Sequence, residues 1–170
     1  MIKPPALALV LLLALAAAPA AFAQDAPAAH PGEEPVDPYA VSNANAAARP
    51  LADPALAAAF HGREGMSRIA ADVVDRAAAD PRIGEIFKSH DLVRLKRTLA
   101  EQICYVLGGG CDYTGRDMTA SHKDLGVQNA DFNALVEDLQ AAMDKEGVPF
   151  AAQNRLLAKL APMHREVVQK

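Results

Sequence analysis

An all-α domain is the fold class that the sequence predicts. Apolar residues recur at three- and four-residue spacing through four long stretches, the rhythm of one buried helix face. No window alternates Val, Ile and Thr in the two-residue rhythm of a half-buried strand. Ala is abundant, aromatic residues make up only 5% of the chain and Trp is absent.

Taken in order, the 170 residues begin with a segment expected to be processed rather than folded. Lys3 supplies a positive start, Ala6 to Ala17 form an apolar run without charge, and Ala21-Phe22-Ala23 offers small residues where a signal peptidase reads. Residues 1–23 are therefore predicted to be a signal peptide cleaved after Ala23, which places the mature protein in the periplasm. The run is short for a membrane span and no basic stop-transfer cluster follows it. Residues 24–55 are rich in Ala, Pro, Asp and Asn and nearly free of large apolar side chains, so they are expected to form a flexible arm, with His30 and Tyr39 solvated.

The folded domain is predicted over 56–170. Met66, Ile69, Val73 and Ala77 define a first helix that ends at Asp80, because the residue before Pro81 is pushed out of the helical region. Leu92, Leu95, Leu99, Ile103 and Val106 form a second stripe, with Arg94, Lys96, Arg97 and Glu101 off it. Gly108-Gly109-Gly110 stops that helix. Phe132, Leu135, Val136, Leu139 and Met143 form a third helix ending at Gly147. Pro149 opens a fourth, carrying Phe150, Leu157, Leu160, His164 and Val167. Between the second and third helices, Cys111 to Gln128 reads as irregular chain with one short helical piece around Met118 to Leu125. A long connection inside a compact domain usually carries function.

Several classes of function are excluded. The charges, 17 Lys+Arg against 21 Asp+Glu, form no basic stripe for nucleic acid and no acidic tail. The triple glycine is not followed by the Gly-Lys-Ser/Thr of a phosphate loop. Glu64, Glu85, Glu101 and Glu137 stand apart and read as solvated helix charges. Cys104 and Cys111, seven apart, match no zinc spacing, and an oxidising compartment favours a disulfide between them. His61 and His90 read as exposed loop residues and His164 as a histidine at the core edge. His122 alone reads most simply as a solvent-facing residue. However, Met118, His122 and Leu125 share one helical face, which could pack an imidazole against a flat apolar group.

The stretch Leu107 to Gly126, LGGGCDYTGRDMTASHKDLG, resembles the signature region of group I truncated haemoglobins. Upstream, Ala79-Asp80-Pro81-Arg82-Ile83 with Ile86-Phe87 is similar to the family's B-to-C segment, and downstream Asp131-Phe132 and Gly147-Val148-Pro149 to the start of its G helix and the G-to-H turn. The resemblance runs from about Phe60 to Val168. It implies a two-over-two helical sandwich of B, E, G and H helices, with little room for an A helix. It also implies a haem b cofactor, His122 as the proximal iron ligand and Phe87 stacked on the haem. Met118, Leu125, Phe132, Leu135 and Leu160 would form pocket walls.

The departures bear on function. Members of the family typically carry a tyrosine on the B helix where this chain has Val74, and often a glutamine on the E helix where it has Leu99. Leu95, one turn earlier, is apolar too. The function implied is reversible binding of oxygen, carbon monoxide or nitric oxide through a His-ligated iron, without dedicated catalytic residues. The alternatives are a nitric-oxide dioxygenase or peroxidase-like scavenger, which would need a reductase partner and a polar distal group, and a haem-based gas sensor, for which no output domain is visible. No nucleic-acid partner and no membrane span after cleavage are expected.

Overall fold

The computed structural model describes residues 29–169, so the predicted signal peptide lies outside the described residues. Eight α-helices follow one another: α1 Pro54–Ala59, α2 Gly62–Ala79, α3 Gly84–Phe87, α4 Leu92–Val106, α5 Met118–His122, α6 Asn129–Lys145, α7 Phe150–Leu160 and α8 His164–Val167. Single 3-10 turns lie at Asn43–Ala46 and Ala161–Met163, and no strand occurs among the described residues.

The helix ends follow local chemistry. Asp80 leaves the helical region ahead of Pro81 and closes α2. Asp91 caps α4 by accepting the amide of Arg94 at 3.0 Å. Asp131 reaches back to the amide of Gln128 at 2.9 Å and secures the start of α6. Gly108 ends α4 with φ +73°, and a Cβ there would stand 2.1 Å from the carbonyl oxygen of Leu51. Only glycine meets both demands.

Two features differ from the sequence expectation. The fourth helix does not run unbroken to Val167. Pro162 has no amide hydrogen to donate, so the chain tightens into the Ala161–Met163 turn before α8 begins. A short helix, α1, also precedes α2 where little room for one was expected, started by Asp53 accepting the amides of Ala55 and Leu56.

The packing rests on α2, which lies against both α4 and α6; α7 touches α4 and α6, and α5 sits on α8. Neither α4 with α6 nor α4 with α5 forms a substantial contact. The main core joins Phe60, Met66, Ile69, Val73 and Val74 to Ile103, Leu107, Met143 and Leu156. Burying each such large side chain contributes about 1.5–3 kcal/mol.

The segment expected to be a flexible arm is described from Ala29 onward, and there it lies against the domain. Ala46 is fully buried. The amide of Leu51 donates to the carbonyl of Val106 at 2.9 Å. Tyr39, expected to be solvated, donates its hydroxyl to the carbonyl of Thr114 at 2.8 Å and carries the Arg116 guanidinium over its ring. The Glu33 carboxylate, 1% exposed, bonds Arg97 at 2.5 Å and Arg94 at 3.2 Å. The segment has few large apolar residues and so reads as unable to fold; hydrogen bonds and ion pairs, which hydropathy does not register, add to the packing of Ala46 and Leu51 in holding it.

Candidate functional site

His122 ends α5, and the helix is built to present it. Asp117 caps α5 by accepting the amide of Ala120 at 2.8 Å, and its carbonyl accepts the amide of Ser121 at 2.9 Å. One turn on, the Nδ1 atom of His122 lies 2.8 Å from the carbonyl oxygen of Met118. A carbonyl can only accept, so Nδ1 carries the proton and Nε2 is left as a lone-pair donor. Burial pushes the imidazole pKa down, against the Met118 hydrogen bond that raises it. The neutral ring that results is the form that ligates a metal. A second hydrogen bond fixing ring and tautomer is the usual companion of a ligating histidine.

The expected wall residues fall into three clusters. Val74 lies within the main core, with Leu95, Leu99 and Leu160 on its edge. Met118 is buried in a second cluster with Tyr113, Met163 and Val167, and Leu125, Phe132 and Leu160 border it. Phe87 and Leu135 border a third, around Ile83. Leu160 touches both of the first two clusters, whereas Phe87 and Leu135 are not brought into them. Thus Phe87, Leu95, Leu99, Leu125, Phe132, Leu135 and Leu160 are each only partly buried. Large apolar side chains that are neither core nor surface, on helices that do not close on each other, suit the wall of a slot for a flat apolar group. One neutral imidazole and such a wall are the protein's share of a haem site.

Donors near that slot are few. Val74 is 2% exposed, and its neighbour Asp75 points to the surface, where it pairs with Lys96 at 2.6 Å. Thr98 donates its hydroxyl to the carbonyl of Arg94 at 3.0 Å. Gln102 is buried, donates to the carbonyl of Ala46 at 3.2 Å and places the same amide near the sulfurs of Met118 and Met163. The hydroxyl of Thr98 and the amide of Gln102 are therefore engaged with protein groups.

Other expected residues take more ordinary places. His164 is half-buried, donates its Nε2–H to the side-chain oxygen of Asn129 at 2.6 Å, and meets the Phe132 ring edge-on at 5.0 Å. Phe150, expected on the apolar stripe, is 69% exposed. Glu101, expected to be solvated, accepts from Arg97, from the hydroxyl of Thr114 at 2.8 Å and from its amide at 3.0 Å. The Sγ atoms of Cys104 and Cys111 are within bonding distance, their Cα atoms 5.7 Å apart. Two open clefts of about 390 and 420 Å³ flank Cys111, and neither is lined by any expected haem-contact residue. The cations at the second cleft already have partners, Arg97 with Glu33, Lys96 with Asp75 and Arg63 with the carbonyls of Gly109 and Gly110. Sequence reasoning missed the anchoring role of Glu33 and that of Gln169, whose side chain bonds the loop after His122. No periodicity or motif marks either residue.

An all-helical fold with the half-buried His122 and several partly buried apolar side chains is compatible with the globin class. Residues 58–169 match the bacterial-like globin family, and the chain belongs to that family. Its curated relatives include a group 1 truncated hemoglobin of Tetrahymena pyriformis, 28% identical over 95 residues, spanning 56% of this chain and 78% of that one. Another, from Synechocystis sp., is 33% identical over 79 residues, 44% of this chain and 64% of its own. Among solved structures, truncated hemoglobin from Tetrahymena pyriformis superposes with a TM-score of 0.64 at 25% identity, covering 68% of this chain and 98% of that chain. The 2/2 hemoglobin of a Synechococcus species shares the fold, with a TM-score of 0.62 at 21% identity over the same shares. The fold is thus the two-over-two arrangement, in which α2, α4, α6 and α7 correspond to the B, E, G and H helices. As a truncated globin, the chain is a haem-binding protein.

Proposed function

We propose that this protein is an exported carrier of haem b that reversibly binds small gaseous ligands, with His122 as the proximal ligand. Haem, held by His122, would supply an iron centre able to bind a diatomic gas. The chain's residues do the rest. His122 offers Nε2 with its proton parked on Nδ1, Met118 supplies the carbonyl that keeps it there, and the partly buried apolar side chains exclude water. The observation that carries the reading is the 2.8 Å bond from His122 Nδ1 to Met118, made by a half-buried ring of lowered pKa.

Binding is favoured over catalysis because Val74, Leu95 and Leu99 have no proton to give, and the amide of Gln102 and hydroxyl of Thr98 are engaged elsewhere. A dioxygenase or peroxidase would use a polar group at that place. Export is supported by the segment ending Ala21-Phe22-Ala23 and by the paired cysteines.

The test is His122→Ala. The variant should lose stoichiometric haem, or keep it only when imidazole is added. Normal haem retention with an unchanged ferrous absorption spectrum would remove His122 from the iron.

A further inference from the structure

The histidine-bearing helix is too short to hold its own orientation. α5 has five residues, fewer than a free helix needs to be stable in water. Its N-terminal end is fixed by Asp117. Beyond His122 the chain turns at once, with Lys123 non-helical and Asp124 at φ +63°. What fixes this second end comes from the C-terminal tail. The Gln169 amide donates to the carbonyl oxygen of His122 at 2.7 Å, and its carbonyl oxygen accepts the amide of Gly126 at 3.2 Å. Its backbone amide also donates to the carbonyl of Val127 at 3.0 Å. One side chain therefore spans the loop from His122 to Gly126 while its own backbone is tied to the residue beyond. The tail is itself held, because Val167 is buried in the cluster that contains Met118.

We infer that Gln169 is a positioning residue for the proximal histidine, clamping the carbonyl end of His122 so that its imidazole keeps one orientation toward the iron. The inference rests on the assignment of His122 as iron ligand. Its two hydrogen bonds have separable roles. The bond to His122 acts on the ligand's own backbone, and the bond to Gly126 closes the loop. Gln169→Leu removes both side-chain bonds. Gln169→Glu keeps an acceptor for Gly126 but cannot donate to His122 when ionised.

The experiment uses the haem-loaded full-length protein, with resonance Raman of the ferrous form to read the iron–imidazole stretching band. A second readout is the rate of haem transfer to excess apomyoglobin. Both Gln169 variants should shift or broaden the band and speed transfer by about three- to tenfold, the range a single hydrogen bond's net contribution corresponds to. The same substitutions in a His122→Gly background supplied with imidazole should leave the band where that background has it, because the ligand is no longer tied to the backbone that Gln169 holds. An unchanged band and rate in Gln169→Leu would overturn the inference. So would a shift of equal size with free imidazole, which would mean a general effect on the slot. If His122→Gly without imidazole keeps the wild-type band, the ligand assignment itself fails, and the role of Gln169 with it.

Discussion

Val74 stands where the resembling family carries a tyrosine, and the structure surrounds it with side chains that cannot replace a hydroxyl. It is buried beside Val73, and Asp75, the one polar neighbour in the sequence, is turned outward to Lys96. A hydrogen bond to a ligand bearing partial charge contributes about 1.5–3 kcal/mol, so its absence speeds oxygen release by roughly ten- to a hundredfold. Val74→Tyr should therefore slow oxygen release by about that factor in stopped-flow dissociation measurements, with a smaller effect on carbon monoxide. Slow wild-type release that the tyrosine does not slow further would mean that an unrecognised donor reaches the ligand. A second residue behaves oppositely, as a polar group without a partner. Asp138 on α6 has a buried carboxylate oxygen without a hydrogen-bond donor among the described residues, and burial, with Asp80 nearby, raises its pKa. Its folded value lies above the unfolded one of about 3.9, so its ionised form opposes folding. The penalty is present above the folded pKa and disappears as pH falls below the unfolded value. Asp138→Asn should raise Tm at pH 7 by about 2–5 °C, the effect of ~1 kcal/mol in a domain of this size. The gain should vanish near pH 3; a gain independent of pH would point to packing instead.

The helices were legible because each buries a repeating stripe, so α2, α4 and α6 follow directly from Met66, Leu95 or Leu139 and their neighbours at helical spacing. The fourth was overextended because its stripe continues past Pro162, and there the missing amide decides against periodicity. His122 was not legible from spacing, since one histidine on a short helix looks like any surface histidine; the surrounding motif singled it out. The arm was misread because Glu33, Tyr39 and Asn43 bind through polar atoms, and composition measures only apolar burial. The end of α4 also carries a prediction. Cys104 is buried in the last turn, Cys111 follows three glycines, and a Cβ on Gly109 would stand 2.8 Å from Cys104 Sγ. The glycines let the chain double back onto the helix. We expect a disulfide in protein directed to an oxidising compartment, contributing about 2–3 kcal/mol if the chain-entropy account holds. Intact-mass analysis after alkylation without reductant decides it. Two alkylated thiols per chain would exclude the bond, and Gly109→Ala should lower its yield by crowding the sulfur.

At the scale of the whole molecule, the apolar interior is divided rather than continuous. The main core ties α1, α2, the end of α4, α6 and α7 together, while Met118 with α8 and Ile83 with Ala134 form separate clusters. The partly buried side chains assigned to the haem slot border these clusters, and Leu160 touches two of them, so a flat apolar group seated there would add contacts that the chain alone leaves open. A group that binds only the folded state stabilises it by mass action, about 4 kcal/mol at a thousandfold excess over Kd. The benefit should be unequal. α2 and α4 face each other directly and keep their packing without it, whereas α5 packs chiefly on α8 and is held at its ends by Asp117 and Gln169. Native-state hydrogen exchange on haem-free and haem-loaded protein should therefore show protection lost mainly over residues 118–126 when haem is removed. The amides of α2 and of the second half of α4 should stay within about tenfold of their loaded rates, because their partners lie in the main core. Equal loss across α2, α4 and α5 would mean that haem supports the entire core as one unit, and that the clusters are not separate in stability. The expected disulfide would provide the control: it would join the end of α4 to Cys111 and not to α5, so reducing it should expose amides around 104–111 and leave the haem-dependent protection of 118–126 in place.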